Sequence, residues 1–463
     1  MLVYSGDKLN IKYNDWLDPA WRCRDFVSEV NSYALGTTEK VLGILGLRGT
    51  GKTVGVLQAI KDMDAIYITA QENEDETAED YLRVLKQTEN KIIVIDEYSW
   101  IKNHEIIDGY LYTLVQNGHR VIITGTEGIG IARLSYGRLI HRINFIHTNY
   151  FSFSEYLRVF DCPVSYDSVN RYLREGGLFS DYIIRSMVDL DSYYREAVFG
   201  SLSKHIHGIS EECCRAIVYK ILYTAICETM TRNDNEQSIP LDTSRITLDE
   251  FYRMLNIDAD QHYNQTEFNE VASVLESIDI ILRIRNLYNE DEYETVIVNP
   301  AVSYQLIKTI YRLDVVPGTF VGHIYEAMCI CEKYHTLAQG QGIYYYSSRE
   351  NGINRQMDII VLDEFHRNDG CHVFECKHGS NYRVKGTESF MSDVLEKIFP
   401  DGQVIRYIMY NGQPNKIMCD DKEVIYISPD MHGIDYKDVE SMRNYVDAYK
   451  KRTQEYIHKK QSR

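Results

Sequence analysis

Several things that would place a chain outside the cell interior, or inside a membrane, are missing from this 463-residue sequence. No uninterrupted apolar stretch approaches the ~18 residues that a membrane-spanning helix needs. The opening MLVYSGDKLNIKYNDW has no basic segment followed by an apolar one, so a secretory leader is not expected. The ten cysteines include no CxxC pair, and the close neighbours Cys213–Cys214 and Cys329-x-Cys331 lack zinc-site spacing. Reduced thiols in a cytoplasm are the expectation. Positive charge is also short: 50 Lys and Arg stand against 68 Asp and Glu, a net charge of −18. The average surface therefore repels nucleic acid. The deficit is uneven, because Glu72–Asp80 is strongly acidic whereas Arg443–Arg463 carries seven basic residues against two acids. That last stretch reads either as a local basic surface or as a solvated helix with a basic tail. The 37 tyrosines are spread along the chain without a pattern that assigns them a role.

What remains is ordinary globular composition, 44% hydrophobic and 25% charged, in a chain long enough for roughly two to four domains. The most specific stretch is Gly46-Leu47-Arg48-Gly49-Thr50-Gly51-Lys52-Thr53, a complete GxxxxGK[ST] loop. An apolar strand, Val41 to Leu45, precedes it, and a helical pattern through Val54, Leu57 and Ile60 comes after. Glycines allow successive backbone N–H groups to curl around phosphate oxygens, and the helix N-terminus adds positive potential. Lys52 would reach the β- and γ-phosphates of ATP, and the Thr53 hydroxyl would ligate Mg²⁺. Downstream, KIIVIDEYSW ends an apolar strand on Asp96 and Glu97. In open parallel sheets ligands gather at the carboxyl ends of strands, where these acids would lie. Asp96 would hold Mg²⁺ and Glu97 would act as general base on the attacking water. Either acid alone also suits the N-cap of a helix beginning near Asn103.

Further apolar runs, Ala65 to Gln71, HRVIITGTEG and Arg142 to Phe151, alternate with helical patterns over the first 150 residues. That alternation predicts an α/β, doubly wound parallel sheet. The additional strand and the Asp-Glu pair resemble the AAA-type branch of P-loop ATPases. In that comparison Thr124 or Thr126 takes a sensor position near the γ-phosphate. The stretch LSYGRLIHRINFIHTNYFSFSEYL is similar to a family of bacterial and archaeal AAA-like ATP-binding proteins. Their P-loop half ends with Gly-Arg, a strand and a SFxE(F/Y)L helix start, here Gly137-Arg138 and Ser152-Phe153-Ser154-Glu155-Tyr156-Leu157. The resemblance makes Arg138 a γ-phosphate-sensing charge, within its own subunit or across a homo-oligomer interface. A helix C-terminal cation is the equally weighted alternative.

From about 158 to 310 the chain is mostly amphipathic helix without a catalytic constellation. ITLDEFYRMLNI, then NEVASVLESIDIILRIRNLYNEDEYETVIVNPA, reads as helix, helix, strand, turn, strand, the order of a winged helix. Its wing would turn around Asn289 to Glu292. The second helix, around Asn269 to Ser277, is acidic, so a structural joint is preferred to a DNA reader.

VVPGTF marks a boundary, and after it come a helix carrying Glu326, a strand (GIYYYSS), a strand with Asp358 (RQMDIIVLD), an Asp-Gly turn and CHVFECKH. This order resembles the PD-(D/E)XK nuclease superfamily, and the C-terminal domain of unknown function found in the ATPase family just named. The resemblance implies that Asp358 and Glu375 ligate Mg²⁺ or Mn²⁺, that Lys377 positions the water attacking a phosphodiester, and that Glu326 is an auxiliary acid. Hard oxygen ligands suit those ions. Gln356 stands where that family often has an acid.

The expected organisation is an N-terminal segment (1–36), an AAA-like P-loop domain (37–200), a helical, winged-helix-like connector (201–312) and a nuclease-like α/β domain (313–463). The expected function is an ATP-hydrolysing protein coupled to a nuclease-like domain that acts on or surveys DNA or RNA. The alternative is a nucleotide-gated signalling or binding protein whose C-terminal domain is catalytically idle.

Overall fold

The computed structural model describes residues 1–431 except 18–21, 38, 71–76, 126–138, 149, 178–184, 207, 233–244 and 351–352, together with 451 and 454. Its first layer system is a six-stranded sheet. In chain order the strands are β1 (Leu2–Ser5), β2 (Val41–Leu45), β3 (Ala65–Thr69), β4 (Ile92–Asp96), β5 (Arg120–Gly125) and β6 (Ile143–His147). Across the sheet they run β1-β3-β4-β5-β2-β6. All neighbours from β3 to β6 pair in parallel, as the alternation of β and α predicts.

The edge strand β1 is antiparallel to β3, with Leu2 opposite Thr69 and Ser5 opposite Ile66. The N-terminal segment thus contributes a strand to the sheet. That strand is four residues long and none of them is fully buried, so it leaves almost no hydrophobic signal.

Strand periodicity sorts the apolar residues into two cores. Ile66, Ile68, Ile93, Ile95, Val121 and Ile123 bury one face of the sheet. Leu42, Ile44, Tyr67, Val94 and Ile122 bury the other, with Val56, Leu57 and Ile60 of the helix Lys52–Ile60. A short 3-10 turn, Tyr98–Trp100, comes directly after Glu97 without a side-chain cap, and the α-helix beyond it begins at Glu105 with His104 as its N-cap, so neither acid caps that helix.

The second half contains an eight-stranded mixed sheet. It comprises β7 (Ile281–Asn286), β8 (Tyr293–Ile297), β9 (Gln341–Glu350), β10 (Ile353–Asp363), β11 (Gly370–Lys377), β12 (Gln403–Tyr410), β13 (Asn415–Cys419) and β14 (Lys422–Ile427). Their spatial order is β13-β14-β12-β11-β10-β9-β7-β8. The helices Leu248–Met254 and Gln265–Ser277 precede the β7–β8 hairpin in the order expected of a winged helix, and both start on a capping box. The hairpin turn closes where the Glu292 N–H donates to the Asn289 carbonyl at 2.9 Å.

This hairpin does not stand apart from the strands after it. β7 pairs in parallel with β9 through Arg285–Tyr344 and Asn286–Tyr345, so hydrogen bonding crosses the boundary expected at 312/313.

One buried apolar cluster runs across both halves. It takes in Phe151, Phe153 and Tyr172 from the first, Tyr219 and Phe251 from the middle, and Tyr325, Cys329, Phe374 and Tyr407 from the last. The helix Gly318–His335 lies within it and carries the buried Glu332. Among the described residues no helix is long and apolar enough to cross a membrane.

Candidate nucleotide site and candidate carboxylate site

The loop between β2 and the helix Lys52–Ile60 has the backbone that its glycines predict. Gly49 and Gly51 both adopt φ of +83°, a left-handed conformation that glycine takes without penalty. Gly46 is fixed for a different reason: a Cβ there would lie 2.1 Å from the Thr148 hydroxyl oxygen and 2.2 Å from the Thr148 carbonyl oxygen. The Thr50 hydroxyl is buried, donating to the Leu47 carbonyl at 2.8 Å and lying 3.0 Å from the Thr148 hydroxyl. Lys52 is 5% exposed, and its ammonium donates to the Gly46 and Leu47 carbonyls at 2.8 and 2.9 Å. Burial pushes its pKa down, opposed by the charges of Glu97 and Asp96. A buried cation held by the carbonyls of a glycine-rich loop at a helix N-terminus suits a polyphosphate. The Arg48 guanidinium turns away to pair with Glu196 at 2.6 Å, and the Tyr193 hydroxyl donates to the Arg48 carbonyl at 3.1 Å.

Asp96 closes β4 and is 3% exposed. It accepts hydrogen bonds from the hydroxyls of Thr53 (3.0 Å to Oδ2), Tyr67 and Thr124. Three hydroxyl donors hold both carboxylate oxygens of a group that water cannot reach, as buried charge requires. Glu97 is half-buried and has φ of +56°. The Glu97 N–H donates to the Thr124 hydroxyl at 3.1 Å. Left-handed strain of this kind in a non-glycine residue is maintained by the surrounding packing and marks functional positions. Thr53 and Asp96 together supply the oxygen donors that Mg²⁺ beside a nucleotide takes. Of the two candidate sensors Thr124 touches the acidic pair, whereas Thr126 and Arg138 lie outside the described residues.

Three participants here have no signature in the sequence. Tyr67 comes from the middle of β3, Thr148 from just past β6, and Arg24 from ahead of the helix Phe26–Leu35. Arg24 is 7% exposed and forms a two-pronged pair with Glu155, Nε to Oε1 at 3.0 Å and Nη2 to Oε2 at 2.6 Å. Glu155 is the acid of the SFSEYL stretch, and its role is to hold Arg24, whose Nη1 donates to the Thr50 carbonyl. Hydroxyl and ion-pair partners so far apart along the chain leave no local pattern. The one sequence signal that pointed here was the SFxE motif itself.

In the second half β10 and β11 pair Val361 with His372, Ile360 with Val373 and Ile359 with Phe374. One step further along lie Asp358 and Glu375. The β9–β10 register slips between Met357 and Ile360, so Asp358 sits in an irregularity that redirects its side chain. Its carboxylate accepts the Cys376 N–H at 2.7 Å. Lys377 donates to Glu375 at 2.7 Å, Glu375 being 13% and Lys377 34% exposed. Burial raises the pKa of Asp358, with Lys377, the Cys376 N–H and His323 pulling it back. Burial raises Glu375 well above the carboxylate range, and the charge of Asp358 adds to that shift. Burial works against the Lys377 ammonium, but Glu375 and Asp358 together raise its pKa. The structure therefore brings Asp358, Glu375 and Lys377 into one electrostatic cluster.

Glu326 stands at one remove from it. Its carboxylate lies 3.7 Å from His323 on the same helix, and it is His323 whose charge Asp358 feels. Glu388 and Tyr382 join the cluster unforeseen. Glu388 raises the pKa of both Asp358 and Glu375, and the Tyr382 ring lies 5.5 Å from the Lys377 ammonium. Among the described residues no group of three or more His, Cys, Asp or Glu side chains is arranged to hold a metal ion. Two carboxylates are nevertheless a sufficient protein contribution for Mg²⁺, which keeps several waters and takes further oxygens from a phosphate.

Comparison with known proteins bears on the first site. Residues 38–157 match the AAA domain family AAA_14. No curated protein matches the chain. Among solved structures, the Saccharomyces cerevisiae Hsp104–ADP complex aligns at 13% identity and a TM-score of 0.28, covering 60% of this chain and 41% of that one. The Aeropyrum pernix Orc1 protein in complex with DNA aligns at 13% identity and 0.24, covering 62% and 91%. The Thermotoga maritima RuvB Holliday junction branch migration motor aligns at 12% and 0.25, covering 63% and 95%. Agreement at these scores carries no argument. The family match and the phosphate cradle do, and the N-terminal half of this chain carries an AAA-type ATP-binding domain.

Proposed function

We propose that the protein hydrolyses ATP in its N-terminal half and couples that reaction to a PD-(D/E)XK-like domain acting on nucleic acid. The observation that carries the hydrolytic reading is the pair Asp96–Glu97, one acid buried under three hydroxyls and the other half-buried at a left-handed backbone position beside it. Lys52 and the loop amides would bind the phosphates, and Thr53 with Asp96 would hold Mg²⁺, which supplies charge neutralisation at the transferring phosphoryl group. Glu97 would take a proton from the attacking water, with its backbone fixed by Thr124.

The C-terminal reading is supported by the clustering of Asp358, from the middle of β10, with Glu375 and Lys377 at the end of the adjacent β11. Those two carboxylates would hold Mg²⁺ or Mn²⁺, which supplies Lewis acidity towards a phosphodiester. Lys377 would orient water on the face it shares with Glu375. Gln356 favours a second reading, in which this domain recognises nucleic acid without cutting it, because an expected acid is absent from the strand bearing Asp358.

Turnover of ATP by wild type, Lys52→Ala and Glu97→Gln tests the first claim. Lys52→Ala is expected to lose binding, and Glu97→Gln to bind ATP with little hydrolysis. Unchanged turnover in Glu97→Gln removes Glu97 as the base. For the second claim, DNA and RNA are incubated with Mg²⁺ or Mn²⁺, with and without ATP. Cleavage that Lys377→Ala abolishes supports the nuclease, and binding without cleavage supports the recognition module.

A further inference from the structure

We infer that Arg24 is a positioning residue of the phosphate cradle: by holding the Thr50 carbonyl outward it aims the Gly51 N–H inward at the nucleotide. The inference rests on the nucleotide-binding reading and names a residue outside the phosphate-binding loop that this reading requires.

A trans peptide plane points its C=O and its N–H in opposite directions. A loop that cradles phosphate must turn its N–H groups in, so its carbonyls turn out, and a buried outward carbonyl needs a donor. The Gly46 and Leu47 carbonyls instead meet the Lys52 ammonium on the cradle side, Leu47 also taking the Thr50 hydroxyl. At the Thr50–Gly51 plane the donor is Arg24 Nη1. Gly51 is the loop's left-handed residue immediately before the helix, where the direction of the N–H is set by that single plane.

The guanidinium is itself fixed on its remaining sides. Glu155 takes Nε and Nη2 in a parallel fork, and the Phe151 ring lies 4.4 Å from the guanidinium carbon. Glu155 also accepts the Asp25 N–H at 2.9 Å, which ties down the backbone beside Arg24. The planar fork meets both Glu155 oxygens in parallel while its third nitrogen reaches the carbonyl, a geometry that the single nitrogen of a lysine does not reproduce. Both side chains are 7% exposed or less, so solvent offers the carbonyl no substitute.

The test measures the Kd of a fluorescent ATP analogue with Mg²⁺ for wild type, Arg24→Ala, Arg24→Lys and Lys52→Ala, alongside melting without nucleotide. Arg24→Ala should weaken binding by about tenfold or more, the loss of one charge-assisted hydrogen bond. Guanidinium chloride at low, non-denaturing concentration should recover part of the loss in Arg24→Ala and leave wild type unaffected, which a purely structural defect would not show. Arg24→Lys should keep the melting temperature near wild type and still bind several-fold more weakly. A folded Arg24→Ala with wild-type Kd overturns the inference. If Arg24→Ala fails to fold, a wild-type Kd in Arg24→Lys overturns it. Failure of wild type itself to bind would instead remove the nucleotide-binding reading.

Discussion

Removing Glu332 is expected to destabilise the half of the molecule in which it does not lie. Glu332 sits on the helix Gly318–His335, is 3% exposed, and its Oε1 accepts the Phe153 N–H at 2.5 Å. Phe153 opens the helix that carries Glu155, and a helix N-terminus favours an anion. In Glu332→Ala the charge-assisted bond disappears and a buried N–H loses its acceptor. Together these cost about 2–4 kcal/mol, the upper end being reduced by the relief of burying a carboxylate. Glu332→Gln keeps an oxygen at the same place and loses only the charge, so about 1 kcal/mol is expected. All three tryptophans, Trp16, Trp21 and Trp100, belong to the first half, and their fluorescence in urea therefore reports that half alone. Glu332→Ala should lower the tryptophan-monitored midpoint together with the far-ultraviolet circular dichroism midpoint, and Glu332→Gln should lower both much less. A tryptophan transition that stays at the wild-type midpoint in Glu332→Ala would refute the reasoning, as would equal damage from the two substitutions.

Three further outcomes are expected. Burial pushes the Lys333 ammonium, 4.6 Å above the Phe374 ring, down to about 8. Below that pH the ammonium is charged in both states and its burial penalises the fold. Between about 8 and 10.4 the unfolded chain binds the extra proton, so stability rises with pH. Lys333→Met should therefore stabilise the protein by about 1–3 kcal/mol at pH 7, an advantage that shrinks towards pH 10 in urea titrations. Gly46→Ala should abolish binding of the ATP analogue and lower the melting temperature, because its Cβ would meet the Thr148 backbone oxygen at 2.2 Å; retained affinity would contradict the cradle. Tyr67→Phe removes one of the hydroxyls on Asp96 and should cost about 1 kcal/mol while raising the Mg²⁺ concentration needed for turnover. An unchanged Mg²⁺ requirement would mean that Tyr67 serves packing only.

The features legible in the sequence are those with a short period or a rigid local motif. Strands β2 to β4 announce themselves through runs such as IIVID, because a strand covered on both faces is apolar almost throughout. The phosphate loop is legible because its backbone conformation admits few residues other than glycine. Glu375 and Lys377 stand out because they share one face of an otherwise apolar strand, whereas Asp358 joins them only through the resemblance to the nuclease superfamily. Arg24, Tyr67 and Thr148 are not legible, since each meets the site from a different element and only the tertiary fold brings them together. The slip in β10 is hidden for a related reason: an extra residue in one strand shifts the register without changing the apolar pattern.

The parallel pairing of β7 with β9 also constrains the order in which the chain can be built. The first sheet is complete once β6, ending at His147, has been made. The β7–β8 hairpin ends at Ile297, yet the strand it pairs with begins only at Gln341. During synthesis the hairpin must wait, with the hydrogen-bonding edge of β7 open, until the helices Pro300–Ile310 and Gly318–His335 have emerged. An open strand edge is a template for unwanted pairing between nascent chains. The interval between residues 297 and 341 is thus one in which the second half is exposed to misassembly, and in which a pause or a chaperone would affect yield.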